Sequence, residues 1–307
     1  MSACVVAVIA TLRRPRELAR LLASLEGVET AVVCNNKADA EVRAVCERAP
    51  VPTVCRDVPE NLGCGGGLRL AEEEALARFC DRLTHLLVLD DDVELEPDTV
   101  RRLVEVMEQE KANAVYPLVI AENGCVGWTP GLSDRAKRRL AEDAPTPAEY
   151  RSRLGSSVEE FTWAQGICLL IRRAAIDECG LHRADFWVRG EDLDFSLRLT
   201  QRGRGIFAPA IVVKHLPPAA SPAASRRAEY FRHAAMIQNI AYLGFRQVHG
   251  KRIAKSLAGA VRHFVGLWGL ASFPDLLVAF WRGGVLAQPA GQGNGRTFQQ
   301  RFNEVIQ

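Results

Sequence analysis

The chain has 307 residues, of which 48% are hydrophobic and 25% are charged, an ordinary globular composition for one large domain or one domain with an appendage. Its nine cysteines are scattered without a C-x-x-C pair, which excludes a disulfide framework and indicates a reducing compartment. The net charge of +2 conceals an acidic body and a basic tail: residues 217–307 carry 11 Lys and Arg against three acids, a surplus of eight, whereas residues 1–216 carry −6.

The first half of the chain alternates between strand and helix patterns. The apolar amino terminus has no basic segment before it and predicts a first strand instead of a signal peptide. Apolar, β-branched runs predict strands at 4–9, 30–34, 53–55, 85–90 and 114–117. Apolar residues at helical spacing predict helices from Pro15, over 38–48, from the glycine-rich run 61–67 and over 100–107. This alternation predicts an α/β fold with a doubly wound, mostly parallel sheet and right-handed crossovers.

The pattern loosens after residue 120. Residues 129–158 are polar and contain prolines, and they predict a mobile excursion. A strand over 166–172, helices over 173–179 and 191–202, and two short strands within 205–214 follow, and helices near 225–245, 251–270 and 274–281 complete the chain. We therefore expect an α/β domain over 1–216, with halves 1–92 and 93–216, and a helical region over 217–307.

Three consecutive carboxylates, Asp90, Asp91 and Asp92, close the apolar strand. The carboxyl end of such a strand is where open α/β sheets bind ligands. Asp90 and Asp92 should share one side of the strand while Asp91 points away. Because three like charges repel each other unless they are neutralised, a hard divalent cation holding a diphosphate fits this position. The alternative is a solvated acidic turn before the helix that begins near Pro97.

Two residues distant in sequence are candidates to join this cluster. Asp192 lies in the first turn of a helix, where the helix dipole favours a carboxylate, and it is either a general base or an ordinary acidic first turn. His215 follows an apolar strand and precedes two prolines. It is a structural histidine unless its strand ends beside Asp92, in which case two carboxylates and an imidazole suit Mn²⁺ or Mg²⁺ better than structural zinc.

The run Asn61–Gly67 contains four glycines and opens a helix. It has no Gly-Lys-Ser/Thr ending and matches the G-x-G-x-x-G fingerprint only in part, which argues against a Walker loop and against dinucleotide binding. Glycines before a helix amino terminus still let backbone approach phosphate or sugar hydroxyls closely.

Seven motifs occur in one order: Ala10-Thr-Leu-Arg, Asn35-Asn36, Pro59-Glu-Asn-Leu-Gly, Leu89-Asp-Asp-Asp, Trp163-Ala-Gln-Gly, Gly190-Glu-Asp-Leu-Asp-x-x-x-Arg and His215. Through them residues 4–216 resemble the family 2 glycosyltransferases, which have the GT-A fold. The runs that begin at Glu60 and Trp187 are most similar to the galactofuranosyltransferase-like branch, followed by the rhamnosyltransferases.

The resemblance implies a role for each candidate residue. Asp90 and Asp92 become the D-x-D pair, with Asp92 the direct metal ligand and Asp90 nearer the ribose; His215 becomes the third metal contact and Asp192 the catalytic base. The remaining contacts to the sugar nucleotide or acceptor are Thr11, Arg13, Asn35, Asn61, Gly65, Gly66, Asp91, Trp163 and Glu191. Family members usually have Asp near position 35, so Asn35 leaves the nucleobase open, because an amide both donates and accepts hydrogen bonds.

The function that the resemblance implies is a metal-dependent, inverting transfer of a sugar from a nucleoside diphosphate to a hydroxyl of a glycan or lipid-linked acceptor. UDP-galactofuranose is the leading donor and dTDP-rhamnose the alternative. The absence of a Q-x-x-R-W motif argues against a processive polymerase of the cellulose-synthase type. A sugar nucleotidyltransferase and a non-catalytic sugar-nucleotide-binding protein remain open as functions of other classes.

The carboxyl-terminal region mixes basic and aromatic residues over 226–287. The run Phe264–Trp281 contains Pro274, Asp275 and several glycine and serine interruptions, so we reject a membrane-spanning helix. Two readings remain: a helical cap on the sheet, or a surface that rests on an anionic membrane. We expect a cytoplasmic protein, peripheral on the inner face of the cell membrane in the second reading. We expect no nucleic-acid partner, because the acidic body repels phosphates. A homo-oligomer is compatible with the sequence.

Overall fold

The computed structural model describes residues 3–133, 136, 146–154, 158–217, 226–246, 250–269 and 273–286. These residues form two compact units. The first unit contains residues 3–61, 67–182 and 195–217; the second contains residues 62–66, 183–194 and the described residues from 226 onward. Two short segments from within the predicted α/β domain therefore group with the carboxyl-terminal helices.

Among the described residues, a mixed sheet of nine strands forms the centre of the first unit. Its strands are β1 (Val5–Thr11), β2 (Thr30–Asn36), β3 (Thr53–Val58), β4 (His85–Leu89), β5 (Val93–Leu95), β6 (Ala114–Ile120), β7 (Glu159–Phe161), β8 (Cys168–Arg172) and β9 (Gly205–His215). The strand order is β3-β2-β1-β4-β8-β6-β9-β5, and β7 pairs with β9. The first four strands pair in parallel, whereas β8 runs antiparallel to both β4 and β6. The chain order reverses at β1 and β4, which makes their carboxyl ends the expected ligand-binding crevice.

The helices follow the strands as the alternation predicts. They are α1 (Pro15–Ser24), α2 (Ala40–Glu47), α3 (Gly63–Phe79), α4 (Thr99–Glu110), α5 (Pro147–Leu154), α6 (Arg173–Cys179), α7 (Glu191–Arg202), α8 (Arg226–Arg246), α9 (Gly250–Trp268) and α10 (Phe273–Leu286). Helix α1 begins with Pro15 and buries Leu18, Leu21 and Leu22. Proline suits the first helical position because its missing N–H has no partner there in any helix.

The structure differs from the prediction in three places. Strands β5 and β7 and helix α5 were not predicted. Helix α5 lies within the stretch 129–158, for which we predicted a mobile excursion, and β7 begins directly after that stretch. Residues 134–135, 137–145 and 155–157 of that stretch lie outside the described residues. The two short strands predicted within 205–214 form a single strand, β9, whose pairing with β6 shifts register after Pro117. Such a shift is typical of a β-bulge.

The register of the parallel strands aligns polar side chains along the carboxyl edge of the sheet. Thr11 of β1 pairs with Asn35 of β2, and Asn35 pairs with Asp57 of β3. Directly paired residues point to the same face of a sheet. The three side chains therefore form a polar row on one face, beside the aspartates that follow β4.

The second unit is built on α8. This helix packs against both α9 and α10 and buries Ala234, Ala235, Ile237, Ile240 and Leu243. Among the described residues, no helix is long and apolar enough to cross a bilayer.

Candidate active site

A short antiparallel pairing brings the acidic triplet to His215. Strand β5 begins directly after Asp92, and its first residue, Val93, pairs with His215 at the end of β9. The backbone N–H of Leu216 donates to the carbonyl of Asp92 at 2.8 Å. Asp92 and His215 are 123 positions apart in sequence, and this three-residue pairing is what makes them neighbours.

Asp90, Asp92 and His215 form a cluster that could hold a metal ion. Each offers one ligand atom, and these atoms all lie within 4.8 Å of one another. The His215 Nε2 lies 2.9 Å from Asp92 Oδ1 and 4.0 Å from Asp90 Oδ2. The side chain of Asp92 is only 5% exposed, while that of Asp90 is 40% exposed. The cluster is therefore buried on one side and open to a ligand on the other.

The donor set fits a hard or borderline divalent cation. Two carboxylates and an imidazole suit Mn²⁺ or Mg²⁺. The buried Oδ1 of Asp92 lies 2.9 Å from the His215 Nε2, but the geometry is not that of a regular hydrogen bond. The other ring nitrogen of His215, Nδ1, is buried and has no hydrogen-bond partner among the described residues. Although burial raises the pKa of Asp92, the neighbouring His215 and Arg14 hold it below its ordinary value. An ionised carboxylate is what a cation requires.

Arg14 is a component of the site that sequence reasoning missed. Its Nη1 donates to Asp91 Oδ1 and to Asp92 Oδ2, both at 3.0 Å. Although burial lowers the pKa of Arg14, the carboxylates of Asp91 and Asp92 keep it above its ordinary value. Its neighbour Arg13, the predicted contact, is exposed and has a left-handed φ of 54°. The signal for Arg14 was its place just before Pro15, at the start of the helix that faces the triplet.

Asp91 is bound within the protein instead of facing the metal cluster. Thr11 donates its hydroxyl to Asp91 Oδ2 at 2.6 Å, and Arg14 binds the other oxygen. Burial raises the pKa of Asp91, against the opposing effects of Arg14 and Thr11. Asp91 thus shares Arg14 with Asp92 but has Thr11 as its second partner, whereas Asp92 faces His215.

Trp128 is a second residue that sequence reasoning missed. Its ring packs edge-on against the His215 imidazole, with centroids 4.3 Å apart. Tyr116 donates its hydroxyl to the Trp128 carbonyl at 3.0 Å, and the φ of Trp128 is 47°. A bulky residue in this conformation is strained and persists only where its surroundings hold it, so the indole is fixed against the imidazole.

A family comparison agrees with this geometry. The description of the matching family is "Glycosyltransferase like family 2", and its model matches residues 3–233. The chain belongs to this family. The match covers the whole sheet, all three cluster residues and Asp192, and it confirms the resemblance from the motifs. The galactofuranosyltransferase-like branch stays a prediction.

Similar proteins support the fold of this family member. The low-salt glycan biosynthesis hexosyltransferase Agl10 of Haloferax volcanii is 21% identical over 194 residues, which cover 62% of this chain and 60% of the relative. GalNAc-T7, solved with UDP, GalNAc and Mn²⁺, matches with a TM-score of 0.58 and 14% identity over 98% of this chain and 54% of its own. Staphylococcus aureus TarS with UDP-GlcNAc matches with a TM-score of 0.58 and 14% identity over 93% of this chain and 82% of its own. The predicted GT-A fold is confirmed.

Asn35 lies in the polar row and is fully buried. Its Nδ2 donates to the Asp39 carbonyl at 2.8 Å and to Asp57 Oδ1 at 2.7 Å, and its Oδ1 accepts from the Asp39 N–H at 3.1 Å. Both amide hydrogens of Asn35 are therefore used within the protein. The half-buried Asp57, which also binds Arg43, presents a carboxylate at this edge.

Trp163 lies elsewhere in the first unit, before β8. Its side chain is half-buried, and its carbonyl accepts from the Gly131 N–H at 2.8 Å. A Cβ built on Gly131 would lie 2.1 Å from the Trp163 indole nitrogen. The glycine is therefore needed for the ring to occupy this place. The role of Trp163 as a wall of the sugar or acceptor pocket stays a prediction.

The glycine-rich turn 62–66 contacts the segment 183–187 of the second unit. The Cys64 N–H donates to the Trp187 carbonyl at 2.8 Å. A Cβ on Gly65 would lie 2.2 Å from the Phe186 carbonyl oxygen, and one on Gly66 would lie 3.0 Å from Leu62 Cβ. The absence of a side chain at Gly65 thus lets two backbones pack closely. Phosphate or sugar contacts of Asn61, Gly65 and Gly66 stay predictions.

Glu191 and Asp192 open helix α7 in the second unit. Glu191 is buried and Asp192 is half-buried. Asp192 Oδ1 accepts from the Leu193 N–H at 2.7 Å, and the Asp194 N–H donates to the Gly190 carbonyl at 2.9 Å. Both carboxylates therefore occupy the first helical turn, as predicted. The role of Asp192 as a base, and its approach to the metal cluster, stay predictions.

Proposed function

We propose that this protein transfers a sugar from a nucleoside-diphosphate donor to a hydroxyl of a glycan or lipid-linked acceptor, with inversion at the anomeric carbon. The observation that carries the proposal is the Asp90-Asp92-His215 cluster at the carboxyl edge of the sheet, where the strand order reverses. A donor diphosphate would bring negative charge to this position. A bound Mn²⁺ or Mg²⁺ would supply Lewis-acid stabilisation of the charge that develops on the leaving phosphate.

The protein's own residues would divide the remaining work. Asp92 and His215 would hold the cation, with Asp90 nearer the ribose. Arg14 would fix the orientation of Asp92 through the hydrogen bond at 3.0 Å and would add positive charge beside the diphosphate. Asp192 would remove the proton from the attacking hydroxyl as general base, a contribution of roughly 10²–10⁴-fold in rate.

UDP-galactofuranose is the donor that we propose first, and dTDP-rhamnose is the alternative. Both nucleobases carry an imide N–H. An imide N–H needs an acceptor, and Asn35 Oδ1 already accepts from the Asp39 N–H. We therefore assign the contact with this N–H to the half-buried Asp57, whose carboxylate accepts hydrogen bonds. The complexes of GalNAc-T7 with UDP and Mn²⁺ and of TarS with UDP-GlcNAc support a UDP donor on this fold.

A panel of nucleotide sugars with Mn²⁺ tests this proposal. In a thermal-shift screen a true donor at about 100 times its dissociation constant stabilises by roughly 2.7 kcal/mol. Incubation with that donor and an acceptor should release a nucleoside diphosphate. Release of pyrophosphate would identify a nucleotidyltransferase instead. Binding without metal-dependent transfer or hydrolysis would identify a non-catalytic binding protein.

We further propose that the carboxyl-terminal region rests on an anionic membrane, where lipid-linked acceptors are found. Four large apolar side chains of α9 and α10 are exposed: Leu267 (45%), Leu277 (56%), Val278 (45%) and Trp281 (67%). Residues 217–307 carry the surplus of eight positive charges. Exposed apolar residues together with basic charge are typical of helices that lie in a membrane interface.

Vesicle sedimentation tests the membrane proposal. Reversing the charges of Arg226, Arg227, Lys251 and Arg252 should weaken binding to anionic vesicles at least about tenfold, since each basic residue near such a surface contributes about 1 kcal/mol. The control reverses four basic residues of the first unit: Arg16, Arg48, Lys111 and Arg202. Equal sedimentation of the two variants would mean that the carboxyl-terminal region is a structural cap and does not bind the membrane.

A further inference from the structure

The twelve residues from Arg183 to Asp194, here called the base segment, carry the proposed base and include a strained turn. Arg189 has a φ of +60° and Gly190 a φ of +100°, directly before helix α7 begins. A left-handed conformation is unfavourable for a non-glycine residue, because its Cβ comes too close to the following carbonyl oxygen. Such a turn persists only where neighbouring groups hold it, and the position of Asp192 depends on it.

The two residues that flank the base segment pack together within the first unit. His182 precedes the segment and Phe195 follows it, and their rings stack with centroids 3.9 Å apart. The buried carboxylate of Glu72 lies 2.6 Å from His182 Nδ1 and accepts from the His182 N–H at 2.9 Å. The segment is therefore a loop with anchored ends, and its interior needs a separate support.

Helix α8 supplies that support at the turn itself. Asn239, which is 1% exposed, donates from Nδ2 to the Arg189 carbonyl at 2.8 Å and to the Val188 carbonyl at 3.3 Å. A Cβ on Gly190 would lie 3.2 Å from the Cβ of Asn239. The amide of Asn239 thus binds the two carbonyls that precede Gly190, and the glycine admits the helix at close range.

Two more residues of α8 hold side chains of the base segment. Glu229 accepts from Arg189 at 2.6 Å and from Arg232 at 2.9 Å. Tyr242 accepts a hydrogen bond from Arg183, whose guanidinium lies 4.3 Å from the Tyr242 ring centroid. The three contacts span most of the length of α8. They involve both the backbone and the charged side chains of the segment.

We propose that helix α8 is a positioning element for the proposed catalytic base, with Asn239 as its main positioning residue and Glu229 as its second. This inference rests on the proposed function, because it assumes that Asp192 is the base. Asn239 lies beyond residues 3–233, which the family model matches. The carboxyl-terminal region therefore contributes to transfer apart from any contact with a membrane.

A double-mutant cycle on the full chain tests the proposal, with a soluble acceptor so that membrane binding is not measured. Asn239→Ala should lower kcat about 10–100-fold, because a displacement of about 1 Å in a catalytic group has an effect of this order. The affinity for UDP with Mn²⁺ should be unchanged. In the Asp192→Asn background, Asn239→Ala should lower kcat hardly any further, since the effects of two residues that act through one group are not additive.

The matched control is Gln238→Ala, which truncates a buried amide of the same helix. It should leave kcat unchanged. Glu229→Gln is a milder second variant on a partly exposed side chain, and it should lower kcat in the same direction by a smaller factor. Hydrogen exchange of the peptide over 183–194 should rise in Asn239→Ala and not in the control.

The outcomes separate this inference from the proposed function. If Asp192→Asn abolishes transfer while Asn239→Ala and Glu229→Gln keep the wild-type kcat, α8 is not a positioning element and the base assignment stands. If Asn239→Ala costs the same factor with and without Asp192, its effect is general destabilisation and the inference is overturned. If Asp192→Asn transfers at the wild-type rate, the base assignment itself is wrong.

Discussion

The metal cluster and the base segment are built in different ways. The cluster consists of side chains at the ends of β4 and β9, and the backbone pairing of β5 with β9 holds them together. The base segment has no strand. Side chains of α8 and a backbone hydrogen bond from the glycine-rich turn 62–66 hold it. Sheet pairing fixes a position through backbone hydrogen bonds that do not depend on the identity of the side chains, whereas the turn at Gly190 depends on a few individual side chains.

This difference predicts that changes at the two regions will separate into two kinetic classes. Substitutions in the cluster should impair binding of metal and donor nucleotide. Substitutions in the base segment and its supports should impair turnover at unchanged nucleotide affinity.

The largest effect is expected for Asp192→Asn. Loss of a general base should lower kcat about 10²–10⁴-fold, with unchanged calorimetric affinity for UDP and Mn²⁺. Asp177→Asn, an exposed acid of α6, is the control and should transfer normally. A normal kcat for Asp192→Asn would remove this residue from the mechanism.

Asp92→Asn should impair the binding of metal and nucleotide. Removal of the buried carboxylate should weaken Mn²⁺-dependent UDP binding at least about 100-fold, given that even partners of metal ligands are worth 10–100-fold in metal affinity. Glu94→Gln is the matched control, because Glu94 is a nearby carboxylate bound to Lys214 at 2.8 Å. Titration calorimetry with and without Mn²⁺ measures the difference. An unchanged metal dependence would mean that the cluster does not bind the cation.

Gly65→Ala tests the contact between the glycine-rich turn and the base segment. A Cβ there would also lie 2.6 Å from the Arg183 carbonyl oxygen, so backbone must shift, at a cost of about 1–3 kcal/mol in the free energy of unfolding. Gly259→Ala is the control, since its Cβ would meet nothing within 4 Å and helix interiors favour alanine by about 1 kcal/mol. Urea denaturation should show opposite signs for the two variants. Equal stabilities of the two variants would show that close packing is not the reason for a glycine at position 65.

The smallest effect concerns pH. Although burial raises the pKa of Glu229, Arg232 and Arg189 hold it below the ordinary value of 4.5. A depressed pKa stabilises the folded state above pH 4.5, and this contribution is lost as the pH falls through the folded pKa. The melting temperature of Glu229→Gln should therefore lie below that of the wild type at neutral pH and converge with it in acid. The corresponding difference in the free energy of unfolding should be at most about 1 kcal/mol, because the ion pairs of Glu229 are partly exposed. A difference in melting temperature that grows in acid would contradict the depressed pKa of Glu229.

The sequence by itself determined the elements whose patterns are local. The apolar run before Asp90 gave β4, the spacing of Leu18, Leu21 and Leu22 gave α1, and the ordered motifs identified the family. It missed β5, because three residues between an acidic triplet and a proline carry too short a pattern. It also missed Arg14, which the structure brings to the aspartates, while the nucleotide contact of Arg13 stays a prediction.

Only the tertiary structure decided what these elements do together. The proximity of Asp92 to His215 follows from β5 pairing with β9, and the support of the Gly190 turn follows from Asn239, a residue in no recognised motif. Both are contacts between positions far apart in the chain. Such contacts leave no periodicity in the sequence, because each depends on one pair of residues that the fold brings within hydrogen-bonding distance.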